Sequence, residues 1–270
     1  MHTDCFCITQ VAATVDALLG VPCHGGAAAP LPPVLHQAAR SLAAPCDRVF
    51  LYNPDAIAQW IYAGRRPLFA PLEVRADLGL GMLSVYPPVT PACFASMYSG
   101  LTPAVHGIQA YVKPVLTVDT IFDDLPLAGR RAAIVSTEGD SISLIFQGRD
   151  VDYYIFPTVE RCNQQAMDLI REDRHDLIVL YNGNYDHWMH RGGPETPWAL
   201  RALRENINTY CVLHDAIREH WSSHNTALAF APDHGCHRQY GFLGQHGIDM
   251  PCDMHIWHFW KFLPAHSPQH

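Results

Sequence analysis

The stretch HDLIVLYNGN, residues 175–184, holds a short apolar run that ends in an Asn-Gly-Asn turn. The run is shorter than a typical helix, and polar residues do not alternate with apolar ones within it. This pattern is typical of a strand buried on both faces, as in parallel sheets that are covered by helices. Residues 175–184 therefore predict an inner strand of an α/β protein.

Other strand patterns alternate with helical patterns along the chain. Strands are predicted at 48–55, 130–137, 152–158 and 226–233, with a strand-like run at 81–89 that ends in prolines. Helices are predicted at 56–64, 90–100, 159–173, 196–221 and 252–262. Strands connected through helices form crossover units, which build parallel sheets. The predicted fold class is α/β, a mainly parallel doubly wound sheet with helices on both faces.

No internal repeat or linker divides the chain, so we expect one domain over residues 1–270. Residues 1–46 are rich in Ala and Pro and are interpreted as a helical N-terminal extension around the loop GGAAAPLPP at 25–33. A chain of 270 residues with 49% hydrophobic residues is long enough to bury a large core.

Composition argues against several classes of partner. The formal net charge of -8 is unfavourable for a general nucleic-acid-binding surface. The absence of an 18-residue apolar run predicts no membrane-spanning helix. Nine scattered cysteines without a CxxC pair, and a start without a secretory signal, favour reduced thiols and a cytoplasmic protein. The oligomeric state is left open.

Polar residues follow the predicted strands at positions that should share one edge of the sheet. They are Asp55 after 48–54, Thr90 after 81–89, Asp186 and His190 after 177–184, and Asp233 and His234 after 226–232. In open α/β sheets, ligands bind outside the carboxyl ends of the strands. We therefore expect these side chains to form one site.

Asp and His at this edge are the ligands of divalent metals. Asp186 and His190 are four residues apart, so one turn can direct both at a single ion, and His246 could complete that site. Asp233 and His234 are neighbours, and Asp55 could complete a second site with them. Two ions roughly 4 Å apart suit in-line displacement at phosphorus.

Alternative ligands and structural roles exist for several of these residues. His187 could replace His190, and the competitors of His246 are His237, His255 and His258. Asp55 could instead be the N-cap of the helix predicted at 56–64. Asn53, Asn182 and His237 flank the predicted site and are candidates for contacting a substrate.

Thr90 precedes Pro91 at the predicted start of a helix, where free N–H groups and the helix dipole favour an anion. It could be only an N-cap. Beside a metal, its hydroxyl would ionise more easily and could attack phosphorus, giving a covalent phosphothreonine intermediate. In this interpretation Thr90 is both the nucleophile and a ligand of the ion bound by Asp55, Asp233 and His234.

The segment VYPPVTPACFASMYSGLTPAVHGI (85–108) resembles the nucleophile segment of the alkaline phosphatase superfamily, in its branch of type I phosphodiesterases and nucleotide pyrophosphatases. YNGNYDHWMHRGGP, PDHG and GQHG are similar to that family's Asp-x-x-x-His-x-x-Gly-Pro, Asp-His-Gly and late His ligand motifs. The resemblance spans about residues 48–260 and implies two divalent ions, zinc with manganese as the alternative, and a small-molecule phosphate ester as substrate.

The chain also departs from this family. Ala56 stands where the family commonly has Gly, and Pro91 and Ala92 replace the context of the nucleotide pyrophosphatases. Few residues separate Thr90 from Asp186, so the resemblance implies a small or absent cap. Three functions stay open: a phosphodiesterase or nucleotide pyrophosphatase, a phosphomonoesterase, phosphonate or sulfate ester hydrolase using the same site, and a non-catalytic protein that binds metal or a phosphorylated ligand.

Overall fold

The computed structural model describes residues 6–266 and contains ten strands in this part of the chain. The strands are β1 (Phe6–Cys7), β2 (Arg48–Pro54), β3 (Leu78–Leu83), β4 (Ala132–Thr137), β5 (Asp152–Phe156), β6 (Leu177–Asn182), β7 (Thr226–Phe230), β8 (His237–Gln239), β9 (Leu243–Gln245) and β10 (His255–Leu263). Eight of them form one sheet in the order β1-β3-β10-β7-β2-β6-β4-β5, and β8 and β9 form a separate hairpin.

Strand β10 is antiparallel to both of its neighbours, and every other pair in the large sheet is parallel. The carboxyl ends of β2, β6 and β7 consequently meet at one edge in the middle of the sheet. The prediction of a mainly parallel α/β sheet is confirmed.

Alternate residues of the inner strands enter two hydrophobic clusters, one on each face of the sheet. Along β2, Val49 and Leu51 belong to the first cluster, whereas Phe50 and Tyr52 belong to the second. All four side chains are fully buried. This two-sided burial explains why the inner strands have apolar runs rather than alternating polar and apolar residues.

Helices cover both faces. They are α1 (Val11–Leu19), α2 (Pro32–Ser41), α3 (Gln59–Gly64), α4 (Arg66–Glu73), α5 (Thr90–Ser99), α6 (Pro103–His106), α7 (Ile121–Leu127), α8 (Ser141–Ile145), α9 (Val159–Glu172), α10 (Asn184–Gly192), α11 (Pro197–His220) and α12 (Pro251–Met254). The first face is packed by α1, α2, α5, α7 and α8, and the second by α3, α4, α9, α10 and α11. Within residues 6–266, none of the helices has both the length and the apolarity to span a bilayer.

The N-terminal segment packs onto the sheet. Val11 of α1, Val34 of α2 and Leu31 between them are buried in the same cluster as Val49 of β2. Helices α5 to α9 and strands β4 to β6 are built from the segment between Thr90 and Asp186. Few residues of this segment are left over for a cap, which agrees with the prediction that the cap is small or absent.

The helix predicted at 252–262 is wrong. Only Pro251–Met254 are helical, and His255–Leu263 form β10 between β3 and β7. Ile256, His258, Trp260 and Phe262 are buried at every second position, which is the period of a strand. The dense aromatic residues of this segment fit a pleated surface between two strands.

The start of α3 also differs from the prediction. The helix begins at Gln59 with Ala58 as its N-cap, so Asp55 does not cap it. Ala56 has a φ of 60°, a left-handed conformation that favours Gly. The chain therefore makes a left-handed turn directly after Asp55.

Candidate active site

The polar residues that follow β2, β6 and β7 converge at the carboxyl edge of the sheet. Asp55 lies directly after β2, Asp186 in the first turn of α10 after β6, and Asp233 shortly after β7. His246 joins them from the loop after β9. The side chains form two groups of three in which the ligand atoms lie within 4.8 Å of one another.

The first group consists of Asp55, Asp233 and His234 and is almost fully buried. Nε2 of His234 is 3.4 Å from Oδ1 of Asp55 and 3.4 Å from Oδ2 of Asp233. The backbone N–H of Ala56 donates to the other oxygen of Asp233 at 3.4 Å. The left-handed turn at Ala56 thus connects the two carboxylates of this group.

Thr90 lies beside the first group. Its Oγ1 is 3.4 Å from Oδ2 of Asp55 and 3.3 Å from Nε2 of His234. Thr90 is the first residue of α5 and Val89 is the N-cap, so the hydroxyl makes no capping bond. The hydroxyl therefore faces the carboxylate and the imidazole at the positive end of the helix dipole.

The second group consists of Asp186, His190 and His246. One turn of α10 directs Asp186 and His190 to the same point, with Oδ1 of Asp186 3.2 Å from Nε2 of His190. Nε2 of His246 is 3.4 Å from the same oxygen and 3.1 Å from Nε2 of His190. The imidazoles of His246 and His234 stack with 4.1 Å between ring centroids, so the two groups are adjacent.

Each of the three imidazoles is held through Nδ1 by a backbone carbonyl. The acceptors are Gly235 O for His234, Gly244 O for His190 and Pro88 O for His246, at 3.0, 3.1 and 3.0 Å. Because a carbonyl can only accept, Nδ1 carries the proton and Nε2 of a neutral ring keeps its lone pair. This arrangement is typical of metal-ligating histidines.

The carboxylate oxygens and imidazole Nε2 atoms that face each other in the two groups have no hydrogen-bond donor between them. Oδ1 of Asp55, Oδ1 of Asp186 and Oδ2 of Asp233 are buried without a hydrogen bond. Two imidazole lone pairs at 3.1 Å also repel each other unless a cation or a proton lies between them. The donor set of three carboxylates and three imidazoles is suited to divalent cations.

The pKa values of the three carboxyl groups differ in direction. Burial raises the pKa of Asp55, and the neighbouring charge of Asp186 raises it further. Burial and the charge of Asp55 raise the pKa of Asp233 well above its usual range. Burial also acts to raise the pKa of Asp186, but His190 and His246 outweigh it and hold the pKa below its usual range.

Two glycines bring the histidine loops close to the rest of the site. A Cβ at Gly235 would lie 2.1 Å from the carbonyl oxygen of Cys252. A Cβ at Gly244 would lie 2.2 Å from Sδ of Met189 on α10. Gly244 therefore allows β9 to approach α10 closely enough for its carbonyl to accept from His190.

The interpretation of Asn53 and Asn182 as substrate contacts is wrong for this structure. Both side chains are fully buried beneath the edge. The amide of Asn53 donates to Ala231 O at 2.7 Å, and that of Asn182 donates to the Tyr52 hydroxyl at 3.0 Å. The Asn182 amide also donates to Oδ1 of Asn163 on α9 at 2.9 Å, so the N–H groups of both residues are used within the fold.

The other candidate histidines are engaged elsewhere. Nδ1 of His237 contacts the buried Asp253 carboxylate at 2.8 Å, and Nε2 of His258 lies 2.8 Å from Pro232 O. His255 starts β10, and His187 lies on α10 outside the three-residue group of His190. None of these four belongs to the two groups at the sheet edge.

Sequence reasoning missed Tyr181 and the loop after β4. The Tyr181 hydroxyl donates to Oδ2 of Asp55. Thr137 at the end of β4, with Glu138 and Asp140 just after it, lines a cavity of about 560 Å³ that also reaches Asp55, Tyr181 and Asp186. The loop stands at the same carboxyl edge as the predicted residues, so the rule that found Asp55 and Asp233 also applies to it.

No family model matches the chain, and no curated protein matches its sequence. Solved structures do match. Human ectonucleotide pyrophosphatase / phosphodiesterase 5 aligns with a TM-score of 0.63 at 12% identity, over 80% of this chain and 88% of that one. The chain has the fold of the alkaline phosphatase superfamily.

Two further structures with this fold are similar. An inactive threonine-to-alanine variant of murine ectonucleotide pyrophosphatase / phosphodiesterase 5, in complex with AMP, aligns with a TM-score of 0.56 at 15% identity over 70% of this chain. Phosphonoacetate hydrolase from Sinorhizobium meliloti 1021, in complex with phosphonoformate, aligns with a TM-score of 0.53 at 20% identity over 71% of it. The chain spans 57% of the length of each of these two proteins.

Proposed function

We propose that this protein is a binuclear metal-dependent phosphohydrolase of the phosphodiesterase or nucleotide pyrophosphatase type, with Thr90 as nucleophile. The observation that carries this proposal is the position of the Thr90 hydroxyl, 3.3 Å from Nε2 of His234 at the N-terminus of α5. A capping role would leave the hydroxyl on backbone N–H groups, whereas its partners are Asp55 and His234.

Two divalent ions would be held by separate groups. Asp55, Asp233, His234 and Thr90 would bind one, and Asp186, His190 and His246 the other. When bound, such ions lower the pKa of a coordinated hydroxyl or water and neutralise charge on a phosphoryl group. The unpaired carboxylate oxygens support this proposal, and mixed Asp and His ligands suit zinc, with manganese as the alternative.

The chain's own residues perform the remaining steps. Thr90 Oγ1 attacks phosphorus as its proton passes to solvent. The bond from phosphorus to the leaving oxygen breaks, and that oxygen takes a proton from solvent, which gives the phosphothreonine and the free alcohol. Water then cleaves the new O–P bond and restores the hydroxyl. Tyr181 keeps Asp55 in position by donating to its carboxylate, and the start of α5 stabilises negative charge on the phosphoryl oxygens.

The fold neighbours support a phosphorus-centred reaction. AMP is bound by the murine neighbour, whose inactive form replaces a threonine by alanine. Phosphonoformate is bound by the bacterial neighbour, which favours phosphonate hydrolysis as a second candidate for the same site. A panel of aryl phosphate diesters, monoesters, sulfates and phosphonates, compared by kcat/KM, distinguishes these activities.

Replacing the nucleophile tests the proposal. Thr90→Ala should reduce turnover of bis(4-nitrophenyl) phosphate on the order of 10³-fold or more. Metal content should stay at about two ions per chain, because three protein ligands are enough to retain each ion. The matched control is Thr117→Ala, which removes an exposed threonine hydroxyl. Full activity of Thr90→Ala contradicts the covalent route, and binding of phosphate without turnover of any ester supports the non-catalytic alternative.

A further inference from the structure

The loop that follows β7, residues 231–235, carries Asp233 and His234 of the first group and is called the ligand loop below. Three consecutive carbonyl oxygens of this loop accept hydrogen bonds from side chains of three different segments. The pairs are Asn53 Nδ2 with Ala231 O at 2.7 Å, His258 Nε2 with Pro232 O at 2.8 Å, and Ser84 Oγ with Asp233 O at 2.8 Å. Pro232 has no N–H with which to continue the pairing of β7, so side chains support the backbone from there on.

The two groups differ in what fixes their imidazoles. The rings of His190 and His246 are held by carbonyl oxygens of segments that lie 54 and 158 residues away in the chain. The ring of His234 is held by the carbonyl of Gly235, its own neighbour. The position of His234 is therefore only as well fixed as the ligand loop itself.

Asp233 depends on the ligand loop in the same way. Its side chain is fully buried, and within residues 6–266 its carboxylate accepts one hydrogen bond, from the Ala56 N–H at 3.4 Å. The other carboxylate oxygen, Oδ2, has no hydrogen-bond partner there. Because the side chain has so little direct support, its position follows from the position of its backbone.

His258 reaches the ligand loop from β10, the antiparallel neighbour of β7. The register pairs Phe259 with Phe230, the last residue of β7, so His258 lies beside the point where the loop begins. The side chain of His258 is fully buried. It shares a face of β10 with Ile256 and Trp260, which belong to the hydrophobic cluster on the α5 side of the sheet.

The imidazole of His258 makes a single hydrogen bond within residues 6–266. Because a carbonyl only accepts, Nε2 carries the hydrogen, and Nδ1 is buried without a partner. Burial lowers the pKa of His258 to about 4, so the ring is neutral near pH 7. Burying an unsatisfied ring nitrogen costs free energy that a phenylalanine would not cost. The bond to Pro232 O is therefore what an imidazole adds at this position.

Ser84 connects the ligand loop to the helix that begins with Thr90. The Ser84 hydroxyl donates to Asp233 O, and its oxygen lies 3.1 Å from Sγ of Cys93, so the thiol can donate to it. Cys93 is fully buried in α5, three residues after Thr90. These contacts couple the backbone of Asp233 to the helix that carries the proposed nucleophile.

We propose that His258 and Ser84 are positioning residues for the first group: their hydrogen bonds to the ligand loop set the positions of its two metal ligands and thereby the metal affinity of this group. The inference rests on the proposed function, because it assumes an ion bound by Asp55, Asp233 and His234. We expect a selective effect, since the second group is held by other segments. Loss of a residue that supports a metal ligand typically weakens metal binding about 10–100-fold.

Stepwise zinc affinities measure this effect without a substrate. Metal-free protein is titrated with zinc in competition with a chromophoric chelator, and the wild type should bind about two ions per chain. His258→Phe keeps an aromatic ring and removes the donor, so it should weaken one affinity at least about tenfold and leave the other unchanged. The same substitution in His246→Ala protein, where the first group is intact, should weaken the remaining ion and so assigns the loss to this group.

Further variants separate positioning from general destabilisation. His258→Gln keeps an N–H donor and should restore most of the lost affinity. Ser84→Ala removes the second donor with little change in volume and should weaken the same ion. The matched controls are Phe262→Leu on β10 and Ser99→Ala at the far end of α5, both at buried positions. Both controls should keep both zinc affinities, even where the melting temperature falls.

The outcomes distinguish this inference from the proposed function. Unchanged affinities in His258→Phe and Ser84→Ala, equal losses at both groups, or the same selective loss in Phe262→Leu overturns the positioning role and leaves the hydrolase intact. Two bound ions without turnover of any ester overturn the hydrolase, and the zinc affinities still decide the positioning role. A wild-type protein that binds no zinc contradicts both. If His258→Phe does not fold, Ser84→Ala decides, with Ser99→Ala as its control.

Discussion

Helix α5 has a histidine–carboxylate cluster at each end, and the two clusters differ in how the imidazoles are held. At the N-terminus, the rings of His190, His234 and His246 are held at Nδ1 and leave Nε2 facing carboxylates. At the C-terminus, His24 contacts Asp124 through Nδ1 at 2.6 Å and Ser99 O through Nε2 at 2.7 Å. Residue composition is thus similar, but the ring nitrogens have different partners.

The partners of His24 require both of its nitrogens to donate. A carbonyl and a carboxylate only accept, so His24 is an imidazolium that fixes the carbonyl end of α5. Cys23, His24 and Asp124 lie close enough to bind a metal, but His24 has no lone pair to offer. The comparison indicates that the number of free ring nitrogens, rather than the presence of Asp and His, separates a ligand cluster from a structural ion pair.

Removing one histidine from each cluster should give the largest difference between them. His246→Ala should lose about one of two bound ions and reduce activity on the order of 10²-fold or more, because only two protein ligands remain in its group. His24→Ala should keep both ions and lower the free energy of unfolding by about 3 kcal/mol, since the Asp124 carboxylate is left buried without its partner. Metal analysis by mass spectrometry and urea unfolding measure the two effects. Loss of an ion from His24→Ala contradicts the distinction.

Much of the N-terminal cluster was predictable because its residues follow strands. Burial on both faces marks β2, β6 and β7 in the sequence, and parallel strands bring Asp55, Asp186 and Asp233 to one edge. His246 follows the β8–β9 hairpin, whose strands have only three residues each. Strands this short leave no alternation of polar and apolar residues from which the hairpin could be predicted. His246 is indicated instead by its place as a third ligand for Asp186 and His190 and by the resemblance of GQHG.

The C-terminal cluster left no signal in the sequence. His24 and Asp124 are 100 residues apart, and neither follows a strand of the sheet. Asn53 shows a second limit of predicting the site from the sequence. A residue at the end of a strand can point under the sheet edge as easily as over it. The helix predicted where β10 lies shows a third limit. A short aromatic run fits a helix or a strand, and here pairing with β3 and β7 makes it a strand.

A smaller change alters only how one imidazole of the N-terminal cluster is held. In Gly244→Ala, the new Cβ would lie 2.6 Å from the backbone carbonyl oxygen of Met189, so β9 must move away from α10. This movement weakens the contact of Gly244 O with Nδ1 of His190. Losing such a support of a metal ligand typically lowers metal affinity about 10–100-fold. Gly64→Ala is the matched control, because a Cβ there meets nothing within 4 Å. Competition with a chelator measures the affinity, and wild-type affinity in Gly244→Ala contradicts the role given to this carbonyl.

The last prediction concerns Asp16, which lies fully buried near His24 with no hydrogen bond to either oxygen. Burial raises the pKa of Asp16 to about 7, against the nearby Cys23 thiol, which lowers it. Because the folded-state pKa lies above the usual 3.8, its contribution to stability is fully present below about pH 4 and is lost as the pH rises toward 7.

Asp16→Asn tests this sign, since asparagine resembles the protonated acid and does not titrate. The melting temperature of Asp16→Asn minus that of the wild type should increase from pH 5 to pH 8, because only the wild type must ionise a buried carboxyl over this range. Asp119→Asn, at an exposed aspartate, is the control and should show no such increase. A difference that stays constant or decreases with pH means that Asp16 is already ionised in the folded protein.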